Sequence, residues 1–307
     1  MHNLKLASVV VGLSIASSGF AATQIEWWHA MGGANGEKVN EIAKAFNDSQ
    51  DAYEVKPVYK GNYTETMTSA IAAFRAKQQP AIVQVFEVGT ASMMAAKGAI
   101  YPVYKLMRES GQSFDESAYL SAVTGYYTNS DGQMLSMPFN SSTPVLYYNK
   151  DLFKKAGISQ APKTWQEVES AAKKLQASGV TCGFTTAWQS WVQLENLSAR
   201  HNVPFATLDH GFGGLKTELK FNGPLQVAHV TKMGEWQKNG VFSYSGRTND
   251  GAAKFYSQEC GMFTESSAGY AGIKAEAEFD FDVRPLPYWE GVGNAPQNTI
   301  IGGASLW

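Results

Sequence analysis

Residues 81–86 form a near-continuous apolar run, the pattern of a strand covered on both faces in a parallel sheet. It does not stand alone. Strand-like segments at 24–29, 53–59, 181–186, 261–264 and 281–287 alternate with segments of helical period, and this order predicts an α/β sheet architecture. The first helix is predicted to bury Val39, Ile42, Ala43 and Phe46. A second, over 64–77, turns Met67, Ala70, Ile71 and Phe74 inward. Thr164-Trp165-Gln166-Glu167 is a capping box that opens a helix with Trp165, Val168, Ala172 and Leu175 inside, stopped by Gly179. Residues 224–239 read as a helix burying Val227, Val230, Met233 and Trp236 and ending at Gly240. A short helix is expected over 91–96, and no internal sequence repeat is found.

Residues 138–150 draw attention next. Asn140, Ser141, Ser142 and Thr143 lie between Pro138 and Pro144, which stiffen the backbone, and a buried strand is expected over 145–148. Asp151 is placed to cap the helix that follows. Taken alone, 140–143 reads as a polar turn. Its position gives it more meaning. Glu87, Ser142, Trp188 and Ser266 each come just after an apolar strand, and open α/β sheets bind ligands beyond the carboxyl ends of their strands.

The first 21 residues have the build of a secretory signal peptide. Lys5 gives a positive start, 6–20 is an apolar run too short to span a bilayer, and Gly19-Phe20-Ala21 fits a cleavage site before Ala22. An exported protein follows from this. A net charge of −2 and a charged fraction of 17 % give no footprint for nucleic acid or for a polybasic membrane surface. Eight tryptophans suit a carbohydrate or polyol cleft, although core packing accounts for most such residues. The length favours two lobes over a single core. Cys182 and Cys260 either pair in an oxidising compartment or remain free, and sequence gives no distance between them.

Several chemistries are excluded. Gly32, Gly33 and Gly36 resemble a phosphate loop but lack the Gly-Lys-Ser/Thr that a nucleotide requires. His29, His201, His210 and His229 form no His-Glu-x-x-His, the cysteines have no metal spacing, and no Gly-x-Ser-x-Gly elbow occurs. Ser170-Ala171-Ala172-Lys173 matches Ser-x-x-Lys, but it lies inside a patterned helix without its companion motifs. Glu87 could act as an acid or base, yet no second carboxylate is placed after another strand, so binding is favoured over catalysis.

Longer segments carry a resemblance. They are Trp28-His29-Ala30-Met31, Tyr59-Lys60-Gly61-Asn62-Tyr63, Ile71-Ala72-Ala73-Phe74-Arg75, Glu87-Val88-Gly89-Thr90, residues 138–150, Pro162-Lys163-Thr164-Trp165, residues 188–196 and residues 295–307. In this order they resemble the periplasmic solute-binding proteins of ABC importers, extracellular family 1, across the whole mature chain. The resemblance implies a two-lobed type II clamshell. One lobe would span 22–138 and be rejoined near 304–307, and the other would span 139–303. It implies a ligand site of Tyr63, Glu87, Ser142, Trp188, Trp191, Ser266 and Gly303. On their own spacing, Tyr63 and Ser266 read as helix caps, the tryptophans as core and Gly303 as a turn glycine. The implied ligand is glycerol-3-phosphate or a glycerophosphodiester such as glycerophosphocholine. Serine hydroxyls and the Gly303 amide would donate to phosphate, Glu87 would accept from glycerol hydroxyls, and a tryptophan face would cover the carbons. No cofactor is implied. The partner would be a membrane permease, the protein a monomer, and its compartment the periplasm. An uncharged sugar is the alternative ligand, with an exported hydrolase and a non-functional remnant as further readings. Family members continue past the apolar run 300–307 into a segment that carries a further site Tyr and Arg. The expectation is therefore of a truncated chain whose clamshell is incomplete at its C-terminus.

Overall fold

The computed structural model describes residues 21–96, 98–112 and 115–307. The signal peptide expected over 1–21 lies, but for Ala21, outside the described residues. Among the described residues, ten strands form two five-stranded sheets. The strands are β1 (Thr23–His29), β2 (Tyr53–Tyr59), β3 (Ile82–Phe86), β4 (Met137–Ser142), β5 (Pro144–Asn149), β6 (Cys182–Thr186), β7 (Phe242–Ser243), β8 (Cys260–Ser266), β9 (Phe281–Pro285) and β10 (Gly302–Leu306). Sheet one runs β2-β1-β3-β10-β4 and sheet two β7-β6-β8-β5-β9. The two orders follow one rule: three parallel strands, then a strand antiparallel to the third, then an outer strand.

The expected α/β alternation is present, but the sheets are mixed where the apolar run at 81–86 suggested a parallel one. β3 pairs parallel with β1 on one side and antiparallel with β10 on the other. Burial on both faces makes a strand apolar whichever way its neighbours run. The polar segment 140–143 is likewise not a turn. Asn140 to Ser142 end β4, and only Thr143 separates β4 from β5. Ser142 pairs with Gly302 of sheet one, and Pro144 pairs with Ser266 of sheet two. The chain thus passes from one sheet to the other through a single residue.

Sheet two encloses the larger core, with Trp165, Leu175, Phe184, Trp236 and Met262 among its buried side chains. The helix Trp165–Ala177 enters through the expected Thr164/Glu167 capping box and buries all four expected residues. Cys182 and Cys260 are disulfide-bonded across the paired β6 and β8, their Cα atoms 4.6 Å apart. The helix Lys150–Lys155 is capped by Asn149, whose side chain accepts from the Leu152 amide, and not by Asp151. Asn149 is the last extended residue, and the cap must stand there.

Three helix faces differ from expectation. Helix Gly33–Asp48 buries Gly36, Val39 and Ala43 and leaves Ile42 and Phe46 on the surface. Helix Tyr63–Arg75 packs Met67, Ala70 and Ala73 on the sheet, with Ile71 and Phe74 outside. Helix Pro224–Asn239 buries Gln226, His229, Met233 and Trp236, whereas Val227 and Val230 are exposed. In the last case polar residues occupy the inner stripe where partners meet both His229 nitrogens and the Gln226 amide nitrogen, which lowers the cost of burying them.

Candidate functional site

The crossing from β4 to β5 gathers hydroxyls from both sheets. Ser266 Oγ donates to Ser142 Oγ at 2.7 Å and accepts from the Ala268 amide at 3.0 Å. Ser266 is therefore a cap, as its spacing suggested, and it is also joined to Ser142. The donated proton leaves the Ser142 hydroxyl hydrogen free to point elsewhere. Thr143 is tied to the next turn, its amide donating to Ser267 Oγ and its carbonyl accepting from Ser267 N.

On the sheet-one side, a run of amides fixes Tyr63. Ala30 N donates to Gln84 Oε1, Gln84 Nε2 to Asn140 Oδ1, and Asn140 Nδ2 to the Tyr63 hydroxyl at 2.9 Å. The Tyr63 ring stacks on Phe86 at 5.3 Å, and burial pushes its hydroxyl up to about 12. Tyr63 is the first helical residue after the true cap, Asn62. Glu87 follows β3 directly. Its carboxylate accepts from the Gly303 amide at 3.0 Å, and its carbonyl accepts from the Tyr126 hydroxyl. Burial raises the Glu87 pKa, and the Gly303 hydrogen bond partly offsets this.

Gly303 is not a turn glycine. It lies inside β10 at φ +147, and a Cβ there would overlap the Asn140 carbonyl. Its neighbour Gly302 is equally confined, since a Cβ would stand 2.7 Å from the Trp191 ring. The glycine pair lets a tryptophan from the sheet-two side lie against a sheet-one strand.

Trp188 and Trp191 pack on the sheet-two core, as their spacing suggests, and remain half-buried. Trp188 has φ +45, its amide donates to the Thr248 carbonyl, and its side chain lies beside Glu265. Trp191 opens a π-helical turn, Trp191–Glu195, in which the Asn196 amide reaches the Trp191 carbonyl. Such turns often mark functional positions.

The structure adds residues that the sequence reading passed over. Glu195, at the end of the π-helical turn, has its pKa raised by burial and then by the charge of Glu87. Tyr126 is pushed up to about 12 by burial and then by both carboxylates. A second carboxylate thus shares the space near Glu87, although it does not directly follow a strand. Glu195 lay within the quoted segment 188–196 but had no motif of its own, and Tyr126 gave no signal. Glu265 directly follows the strand expected over 261–264, so the expectation that no second carboxylate follows a strand does not hold; in the structure it lies inside β8, beside Ser266. Among the described residues no group of three or more His, Cys, Asp or Glu side chains is placed to hold a metal ion. No helix among them is long and apolar enough to cross a membrane.

Comparison with known proteins extends this geometry. The family model for bacterial extracellular solute-binding proteins matches residues 32–306. The sn-glycerol-3-phosphate-binding periplasmic protein UgpB of Brucella abortus is 51 % identical over 300 residues, covering 97 % of this chain and 69 % of that protein. The protein of the same name from Yersinia pestis is 49 % identical, covering 100 % and 70 %. Among solved structures, UgpB from Mycobacterium tuberculosis in complex with glycerophosphocholine superposes with a TM-score of 0.75 at 22 % identity, over 93 % of this chain and 69 % of that one. The GacH receptor of Streptomyces glaucescens superposes with a TM-score of 0.78 at 18 % identity, over 93 % and 71 %. These last two likenesses concern the fold, the two-lobed clamshell of periplasmic binding proteins.

Proposed function

Because the chain belongs to the bacterial extracellular solute-binding protein family, we propose that it captures sn-glycerol-3-phosphate or a glycerophosphodiester in the periplasm and delivers it to an ABC permease. The observation that carries this reading is the joining of Ser142 to Ser266 at the crossing between the sheets, beside Trp188, Trp191, Glu87 and the Gly302-Gly303 pair. Relatives at about half identity that bear the name of a glycerol-3-phosphate-binding protein support the ligand class.

The roles follow from the groups present. Ser142 and Ser266 donate to phosphate oxygens, exchanging part of their mutual hydrogen bond for a charge-assisted one. Glu87 accepts from glycerol hydroxyls. Tyr63, held by Asn140, closes that end of the site. Trp188 and Trp191 cover the carbon skeleton, which needs apolar area without charge. Gly303 keeps β10 close enough for its amide to serve either Glu87 or the ligand. No covalent step is required. The bounds expected at 138 and 304 fall inside β4 and β10, so one lobe comprises 22–142 with 302–307 on sheet one, the other 144–301 on sheet two, and the protein works as a monomer. Closure about the crossing near Thr143 would present both lobes to the permease.

Isothermal titration with glycerol-3-phosphate, glycerophosphocholine, glycerol and maltose tests the reading. Both phosphate esters should bind and maltose should not. Ser142→Ala should weaken the esters by roughly ten- to a hundredfold, the worth of a hydrogen bond to a charged group, and Ser141→Ala should change them much less. Binding of maltose alone, or release of choline from glycerophosphocholine, would overturn it.

A further inference from the structure

Behind the paired serines lies a carboxyl group with no counter-charge. Glu265 sits in β8, a strand buried at all seven residues. Its Oε1 accepts from the Ser266 amide at 2.6 Å, and the Trp188 side chain lies beside it. A Cβ on Gly269 would approach its Cγ to 2.9 Å, so the next turn is closed against it. The acid therefore touches two of the residues placed at the ligand.

The groups facing it are acids as well. Tyr147 of β5 and Tyr256 of the helix Ala252–Tyr256 are its electrostatic neighbours, with Tyr270 and Glu276 one step further out. Among the described residues no Lys or Arg acts on it. An ionised carboxylate placed there is desolvated without a cation, and the Ser266 amide is the N–H that bonds it.

Building on the phosphate-ester reading above, we propose that Glu265 is a positioning residue that works as the neutral acid, holding Trp188 and Ser266 while keeping negative charge away from the bound phosphate. Burial agrees with this, pushing the carboxyl up to about 8. A phosphate beside Ser266 brings a second negative charge to the same poorly solvated region and strengthens the hold on the proton. Ester binding is then linked to proton retention or uptake at Glu265. The affinity should hold near pH 7 and fall once the free protein loses this proton.

Glycerol-3-phosphate suits the test, because a phosphate monoester has its second pKa near ~6 and keeps one charge state above pH 7. Tyr63 and Tyr126, both pushed up to about 12, stay neutral through the window used. Titration calorimetry from pH 7 to about 9.5, in two buffers of different ionisation heat, should show affinity falling toward tenfold per pH unit above about 8. Uptake should approach one proton per ligand at the alkaline end. Glu265→Gln keeps a neutral hydrogen-bonding group of the same shape. It should bind at pH 7 within about threefold of the parent and lose the pH dependence. A parent affinity that is flat to pH 9.5 overturns the proposal, as does an unchanged slope in Glu265→Gln. If that variant does not fold, the buffer dependence of the parent decides the matter without it. A parent that binds no phosphate ester at pH 7 overturns the functional reading and this proposal with it; binding at pH 7 with a flat profile overturns this proposal alone.

Discussion

In sheet two, every residue of β6 and β8 is buried, a disulfide joins these strands, and Trp165, Phe184 and Trp236 fill the space beneath. Sheet one has the same strand order but buries fewer large side chains, chiefly Trp27, Trp28, Val83 and Val85, and Ile42, Phe46, Ile71 and Phe74 of its helices face outward. One strand order thus carries two levels of packing. The difference bears on the candidate site, because Ser266, Trp188 and Trp191 stand on the better-packed sheet, with Glu265 behind them. Tyr63, Glu87 and Gly303 stand on the other and are held more by hydrogen bonds, among them Asn140 to Tyr63 and Gly303 to Glu87. A clamshell can use such an arrangement, with one rigid wall to define the pocket and one adjustable wall to close on the ligand.

The largest expected effect that would sharpen this contrast is Phe184→Ala. The side chain is fully buried among Trp165, Trp236 and Phe242, and its loss should cost about 3–5 kcal/mol in urea unfolding. Removing the disulfide with Cys182→Ala and Cys260→Ala should cost about 2–5 kcal/mol, since the bond closes a separation of 78 residues. An unchanged midpoint would deny sheet two its extra constraint.

The third effect depends on pH. His229 is buried with Trp289 Nε1 donating to its Nδ1, which leaves Nε2–H to donate to Gln193 Oε1. Gln193 Nε2 in turn donates to Thr186 and Thr264. Burial pushes the imidazole down to about 3, so the folded state takes up a proton less readily than the unfolded chain, whose histidine titrates near 6.5. The stability from this group is complete above 6.5 and is lost as pH falls toward 3, at up to roughly 1 kcal/mol per pH unit. His229→Gln should flatten that acid limb in thermal melts from pH 7 to 4. The smallest effect belongs to sheet one. Phe74→Ala should cost about 1 kcal/mol or less, because the side chain is already 41 % exposed. A cost equal to that of Phe184→Ala would break the comparison.

Local rules could be read directly from the residues. β2, the helix Pro224–Asn239, the Thr164 capping box and the inner face of Trp165–Ala177 are local in sequence, and the structure has each of them. Inner faces failed where the partner layer decided them. Helix Pro224–Asn239 turns Gln226 and His229 inward because Ser198, Gln193 and Trp289 supply their hydrogen bonds, and no periodicity of apolar residues reveals such partners. Part of the candidate site was legible in the same way. Glu87, Ser142, Trp188 and Ser266 could be marked because each stands at or just beyond a strand end. Glu195 and Tyr126 could not, since what distinguishes them is proximity to groups far along the chain, whereas Glu265 follows the strand expected over 261–264 and falls under the same rule as Glu87.

The α/β alternation, the Thr164 capping box, the stop at Gly240 and the family were set by the residues alone, because these rest on neighbours within a few turns or on long ordered segments. Only the tertiary structure decided that β10 lies between β3 and β4, that polar residues 140–142 are strand and not turn, and that Ser142 meets Ser266. These contacts join residues more than a hundred positions apart. Which hydroxyl meets which, and which carboxyl is buried without a cation, is set by how two sheets share one short crossing.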